Sequence, residues 1–122
     1  MCSPLCEEVK EGMIKLTFDT KTSSKHDESL IEIIVKAKSE TDVQHTGEQV
    51  WAGSILVGEY LLDQILSRTI QNPSELTIME VGSGTGVLSI LLSFFVKKVI
   101  ATDYTEELIT LERVHDCWGL TF

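Results

Sequence analysis

Apolar and charged residues alternate over Met13-Ile14-Lys15-Leu16-Thr17-Phe18, a period of two that predicts a half-buried strand. A loop is predicted for residues 19–29, which are rich in Thr, Ser, Lys and Asp. Leu30 to Val35 is apolar and largely β-branched, so it predicts a second strand, paired with the first as a hairpin. Residues 1–12 are polar and mixed and read as a mobile end, and residues 36–45 are polar again.

The period then lengthens. Trp51, Ile55, Gly58, Leu62 and Ile65 recur at helical spacing, Leu61 and Leu66 widen the stripe, and Glu59, Asp63, Gln64 and Arg68 take the wet face. Thr46 with Gln49 fits a capping box at the start, and Gln71-Asn72-Pro73 predicts the end. Thr77 to Val81 is nearly all apolar and reads as a central parallel strand covered on both faces. Val87 to Phe95 predicts a well-buried helix, with Lys97 and Lys98 beyond its C-terminal end, where the dipole favours cations. Val99 to Thr102 predicts a second parallel strand, closing a right-handed βαβ unit, and Thr105 to Val114 a further helix.

The chemistry gathers at the first strand-to-helix junction, Glu80-Val81-Gly82-Ser83-Gly84-Thr85-Gly86. Alternate glycines suit a sharp reversal and close approach of a ligand to the backbone, with the amides of the next helix facing it. A dinucleotide fingerprint would put its third glycine at position 87, where Val87 stands, and would avoid a carboxylate beside the pyrophosphate. A nicotinamide oxidoreductase is therefore disfavoured. Asp103 ends the second strand 17 positions beyond Gly86, near the interval at which an acid meets ribose hydroxyls.

The order Glu80-x-Gly82-x-Gly84-x-Gly86 is similar to the loop of S-adenosyl-L-methionine-dependent methyltransferases of the seven-strand class. Together with Gly47-Glu48-Gln49-Val50-Trp51-Ala52-Gly53 and Thr102-Asp103, it resembles the methyltransferase-like family of protein-lysine methyltransferases over about residues 47–113. The resemblance implies the first part of a Rossmann-like class I methyltransferase fold, preceded by a short β-hairpin. It also implies methyl transfer from S-adenosylmethionine to a lysine side chain of a protein substrate. Glu80, Gly82, Gly84 and Gly86 would line the methionine side of the cofactor, Asp103 would take the ribose, and Trp51 would pack beside the pocket. Trp51 reads equally well as a core aromatic anchoring the helix. No residue is assigned to catalysis and none to a metal.

Such proteins continue with further strands, whereas this chain stops at Phe122, and Val114 to Phe122 fits no later motif. A fragment or truncated isoform is therefore expected, inactive by itself, with its C-terminal half missing and an open sheet edge inviting self-association. The alternative is a non-catalytic fragment that binds cofactor or another protein. Two parts are expected, an extension over 1–45 carrying the hairpin and a partial Rossmann-like domain over 46–122.

Composition narrows the picture further. A net charge of −9 argues against direct binding of nucleic acid. Cys2, Cys6 and Cys117 have no metal spacing and suit a reducing compartment, so nucleus or cytoplasm is expected, with no membrane partner. His26 and His45 stand alone on polar stretches and read as solvated.

Overall fold

The computed structural model describes residues 5–10, 12–20, 30–37, 49–104 and 120–121. It is a mixed α/β arrangement with two sheets and two helices between them. The first sheet holds β1 (Leu5–Lys10), β2 (Met13–Asp19) and β3 (Leu30–Lys36), all antiparallel in that order. The expected hairpin is present as β2–β3, with Leu16 opposite Ile33 and Phe18 opposite Ile31. β1 corrects the reading of residues 1–12 as a mobile end. Its pairing rests on backbone bonds to the β2 edge, which need no apolar pattern, and on Lys15 of β2 standing 3.3 Å from Glu7.

Alternation does the rest. Leu16, Phe18, Ile33 and Val35 turn inward, and Lys15, Glu32 and Lys36 stay on the wet face. The inward set packs on Leu62 of α1 (Ala52–Leu66) and on Val87, Ile90 and Leu91 of α2 (Val87–Ser93). Full burial of each such aliphatic side chain contributes about 1.5–3 kcal/mol. Ile65 and Leu92, on the other side of the helices, pack with Val96 and Val99 on the second sheet. α2 is thus apolar all round because it lies between two sheets. Ser89 is the polar exception in its core.

α1 starts later and ends earlier than its periodicity predicts. Trp51 is its N-cap in extended conformation, and no side chain caps it. Thr46 lies outside the described residues. The helix stops at Leu66 because Arg68 adopts a left-handed conformation, φ 60°, and its amide turns back to the carbonyl of Ile65 at 3.1 Å. The chain then passes through a second left-handed residue, Asn72 at φ 50°, into a single 3-10 turn, Pro73–Glu75. A side-chain-bearing residue in this region costs about 1–2 kcal/mol. The predicted wet face is only partly polar in fact, since Leu56, Val57 and Tyr60 are exposed beside Asp63 and Arg68.

The second sheet is parallel, β4 (Thr77–Val81) beside β5 (Lys98–Thr102) beside β6 (Leu120–Thr121). β4–α2–β5 is the predicted strand–helix–strand unit, with Glu80 level with Ala101 and Val81 with Thr102. One expectation fails. β4 is an edge strand among the described residues, and its face away from the helices is bare, with Met79 62% and Val81 81% exposed. Its opposite face carries Ile78 into the core. The run 77–81 is apolar on both faces, but only one has cover here. The predicted helix over 105–114 lies outside the described residues.

Candidate cofactor loop

At the C-terminal ends of β4 and β5 the chain makes one tight structure from two strands. The amides of Gly82 and Ser83 both donate to the carbonyl of Thr102, at 2.8 and 2.9 Å, so the loop leaves β4 anchored to β5. The Gly86 amide closes the turn on the carbonyl of Ser83 at 2.9 Å. Gly82, Gly84 and Gly86 all have positive φ, at 72°, 56° and 79°, which accounts for the alternate spacing. A Cβ at Gly82 would meet no atom within 4 Å, so that glycine is required by its backbone conformation and borders open space.

The structure brings Asp103 onto this loop. Its Oδ2 accepts the Gly84 amide at 2.8 Å and its Oδ1 accepts the amide of Tyr104 at 2.7 Å. Glu80 lies beneath. Its Oε2 accepts the hydroxyl of Ser89, which is fully buried, and its carboxylate also takes the Ser89 amide. Gly86, the N-cap of α2, has no side chain with which to satisfy that amide, so an acid on a neighbouring strand does so. Thr102 Oγ1 donates to the carbonyl of Glu80 at 2.9 Å and ties the strand ends together.

Burial pushes the Glu80 carboxyl above its ordinary value. The Ser89 hydrogen bonds oppose that rise, and the Asp103 carboxylate adds to it. Two carboxylates therefore flank a glycine turn, and repulsion between them would be relieved by a cation placed there. Trp51 stands at the entrance to α1 and is 53% exposed, so it is not a packed core aromatic.

Ser89 and Thr102 escaped the reading of candidate residues. Ser89 had a signal, a lone hydroxyl in the run Val87-Leu88-Ser89-Ile90-Leu91-Leu92, because a polar group in an all-round apolar helix must find a partner. Thr102 stood in the Thr102-Asp103 motif, but a threonine at a strand end is ordinary and nothing in the sequence marked its bond to Glu80.

Methyltransferase-like protein 22 of Homo sapiens is 33% identical over 72 residues, 58% of this chain and 16% of that protein. The Mus musculus protein of the same name is 31% identical over 71 residues, again 58% of this chain and 17% of the relative. The matched part thus spans about a sixth of the length of these relatives, and it is this branch that the chain is similar to. A family model described as lysine methyltransferase matches residues 27–115, which include β3, both helices and the whole glycine loop. On that match the chain belongs to the lysine methyltransferase family.

Proposed function

We propose that this chain carries the S-adenosylmethionine-binding part of a Rossmann-like protein-lysine methyltransferase. The observation that carries the reading is the Glu80–glycine turn–Asp103 arrangement, with Gly84 bonded to Asp103. The residues fit the group. S-adenosylmethionine is a cation with an ammonium and a sulfonium, and the turn is flanked by two carboxylates, one of them resisting ionisation mainly because it is buried, with the other adding to the effect. Its ribose offers two hydroxyl donors, and each oxygen of Asp103 accepts one amide and keeps a lone pair. The open space beside Gly82 lets the methionine part approach the backbone.

When bound, the cofactor supplies a methyl group to an amine that is neutral and in line with the sulfonium. Glu80 and Asp103 hold and orient the cation, Gly82 to Gly86 shape its seat, and Trp51 flanks the entrance. Presentation and deprotonation of a protein lysine are assigned to no described residue, so the reading extends to cofactor binding. Association of copies through the β4 edge, unpaired among the described residues, belongs to the same reading.

The test is calorimetry of residues 1–122 with S-adenosylmethionine, followed by incubation of the chain with tritiated cofactor and cell lysate. Saturable binding without label on lysine is expected. An absence of binding would remove the cofactor reading, and labelled protein lysine would show that the chain is an enzyme by itself.

A further inference from the structure

A second concave site lies at the other end of β4, away from the glycine loop. The stretch joining α1 to β4 forms an open cavity of about 530 Å³, lined by Ile65, Arg68, Ile70, Asn72, Pro73 and Ser74 together with Gln71. Its lining holds one charge, the Arg68 guanidinium, and no acid. Arg68 forms no ion pair within the described residues. The amide groups of Gln71 and Asn72 and the hydroxyl of Ser74 add neutral donors, and Ile65, Ile70 and Pro73 give an apolar wall.

The backbone beneath Arg68 argues that its side chain is there for a reason other than folding. Position 68 is the left-handed exit of α1, the place where glycine is the usual residue because a Cβ is strained. The second non-glycine residue with positive φ among those described, Asn72, lines the same cavity. Strained non-glycine residues concentrate where a side chain is needed at a fixed spot.

The segments flanking the cavity are locally basic in sequence, in a chain of net charge −9. The turn after α2 docks on this loop, with the amides of Lys97 and Lys98 donating to the carbonyl of Leu76 at 3.0 and 3.3 Å. Over residues 65–76 and 97–98 the charged side chains are Arg68, Lys97, Lys98 and the single acid Glu75. We propose that this cavity is an oxyanion site, which takes a phosphate or carboxylate group carried on a body with an apolar side. The planar fork of Arg68 grips two oxygens, the neutral donors complete the shell, and the two lysines raise the local anion concentration.

The experiment is an amide-detected NMR titration of residues 1–122 in a phosphate-free buffer. The probes are inorganic phosphate, acetate, and a short phosphoserine peptide beside its unphosphorylated form. Saturable shifts confined to residues 68–74 are expected with phosphate. A tighter response to the phosphopeptide would assign the anion to a protein partner, and an equal one to a free small anion.

Arg68→Gly separates binding from folding. It relieves the left-handed strain, so its unfolding temperature should equal or exceed that of the parent, while its phosphate affinity falls at least tenfold. Arg68→Lys should be intermediate, because a point charge lacks the fork. Lys97→Gln with Lys98→Gln should flatten the salt dependence and weaken binding less than Arg68→Gly does. Non-saturating shifts with all the probes, or unchanged affinity in Arg68→Gly, would overturn the proposal.

Discussion

The carboxylate of Asp103 accepts the backbone amide of Gly84 across 2.8 Å, and these residues come from opposite sides of the strand–helix–strand unit. This one bond joins the middle of the glycine turn to the end of β5. Because Thr102 also receives the Gly82 and Ser83 amides, the turn is fixed at three points by the last residue of β5 and the residue that follows it. The acid braces the loop, and on the proposed reading it has a second role as an acceptor for the cofactor.

Those two roles separate by substitution. Asp103→Ala removes both and should weaken S-adenosylmethionine binding by about 1.5–3 kcal/mol, the scale of a hydrogen bond to a charged group. Asp103→Asn keeps an acceptor for Gly84 but loses the charge. It should hold the loop amides protected from exchange and still lose affinity for the cation. Hydrogen exchange at Gly84 and calorimetry read the two effects, and an Asn variant that binds like the parent would reduce Asp103 to a brace.

Gly84→Val should abolish cofactor binding, measured by calorimetry, because a branched side chain at φ 56° both strains the turn and stands against the approaching ligand. Gly82→Ala is the milder case. Its Cβ would enter open space, so the cost is conformational, about 1–2 kcal/mol of stability by urea unfolding. If Gly84→Val bound normally, the loop would be removed from the site.

Much of this was legible from periodicity alone. The period-two run at 13–18 placed Leu16 and Phe18 in the core, and the alternate glycines placed the turn where three positive φ values occur. What escaped depends on partners distant in sequence. β1 is defined by an edge it pairs with, since Leu5-Cys6-Glu7-Glu8-Val9-Lys10 carries no regular alternation. The exit of α1 at Arg68 contradicts local preference, so a pattern read from propensity runs on to Pro73. Trp51 reads as a core residue or a pocket wall by type, and its exposure argues against the first.

Gly58 gives a test of the helix pairing. It is buried in α1, and a Cβ there would stand 3.0 Å from Cδ2 of Leu91, a side chain with no exposed surface, and 3.6 Å from the ring of Phe18. Replacing a mid-helix glycine by alanine ordinarily adds about 1 kcal/mol. Here that gain should be cancelled, because confined Leu91 has to shift. Gly58→Val should lose about 1–3 kcal/mol by overpacking. Chemical denaturation of the two variants checks this, and a full gain in Gly58→Ala would mean that the helices stand further apart.

Glu80 and Ser89 make a pH-dependent pair whose sign follows from burial. The carboxyl's folded pKa lies above its ordinary value, mainly through desolvation, with Asp103 adding and Ser89 opposing. Below the unfolded pKa Glu80 is protonated in both states and its contribution to stability is fully present. That contribution is lost as pH rises through the folded pKa, since folding then holds a charge where it is disfavoured. Glu80→Gln removes the titration and leaves the Ser89 hydroxyl an oxygen to donate to. Its stability relative to the parent should therefore improve from acid to neutral pH. Ser89→Ala does the reverse, for it takes away a donor that favours the ionised form. It should cost about 1–3 kcal/mol at neutral pH and less in acid, where the neutral carboxyl needs that donor least. On the proposed reading, bound S-adenosylmethionine would favour the ionised Glu80, so parent affinity should rise with pH across the Glu80 titration, and the Gln variant's affinity should stay flat. Urea unfolding and calorimetry at several pH values read both curves. Identical pH dependence in parent and Gln variant would show that Glu80 carries neither effect.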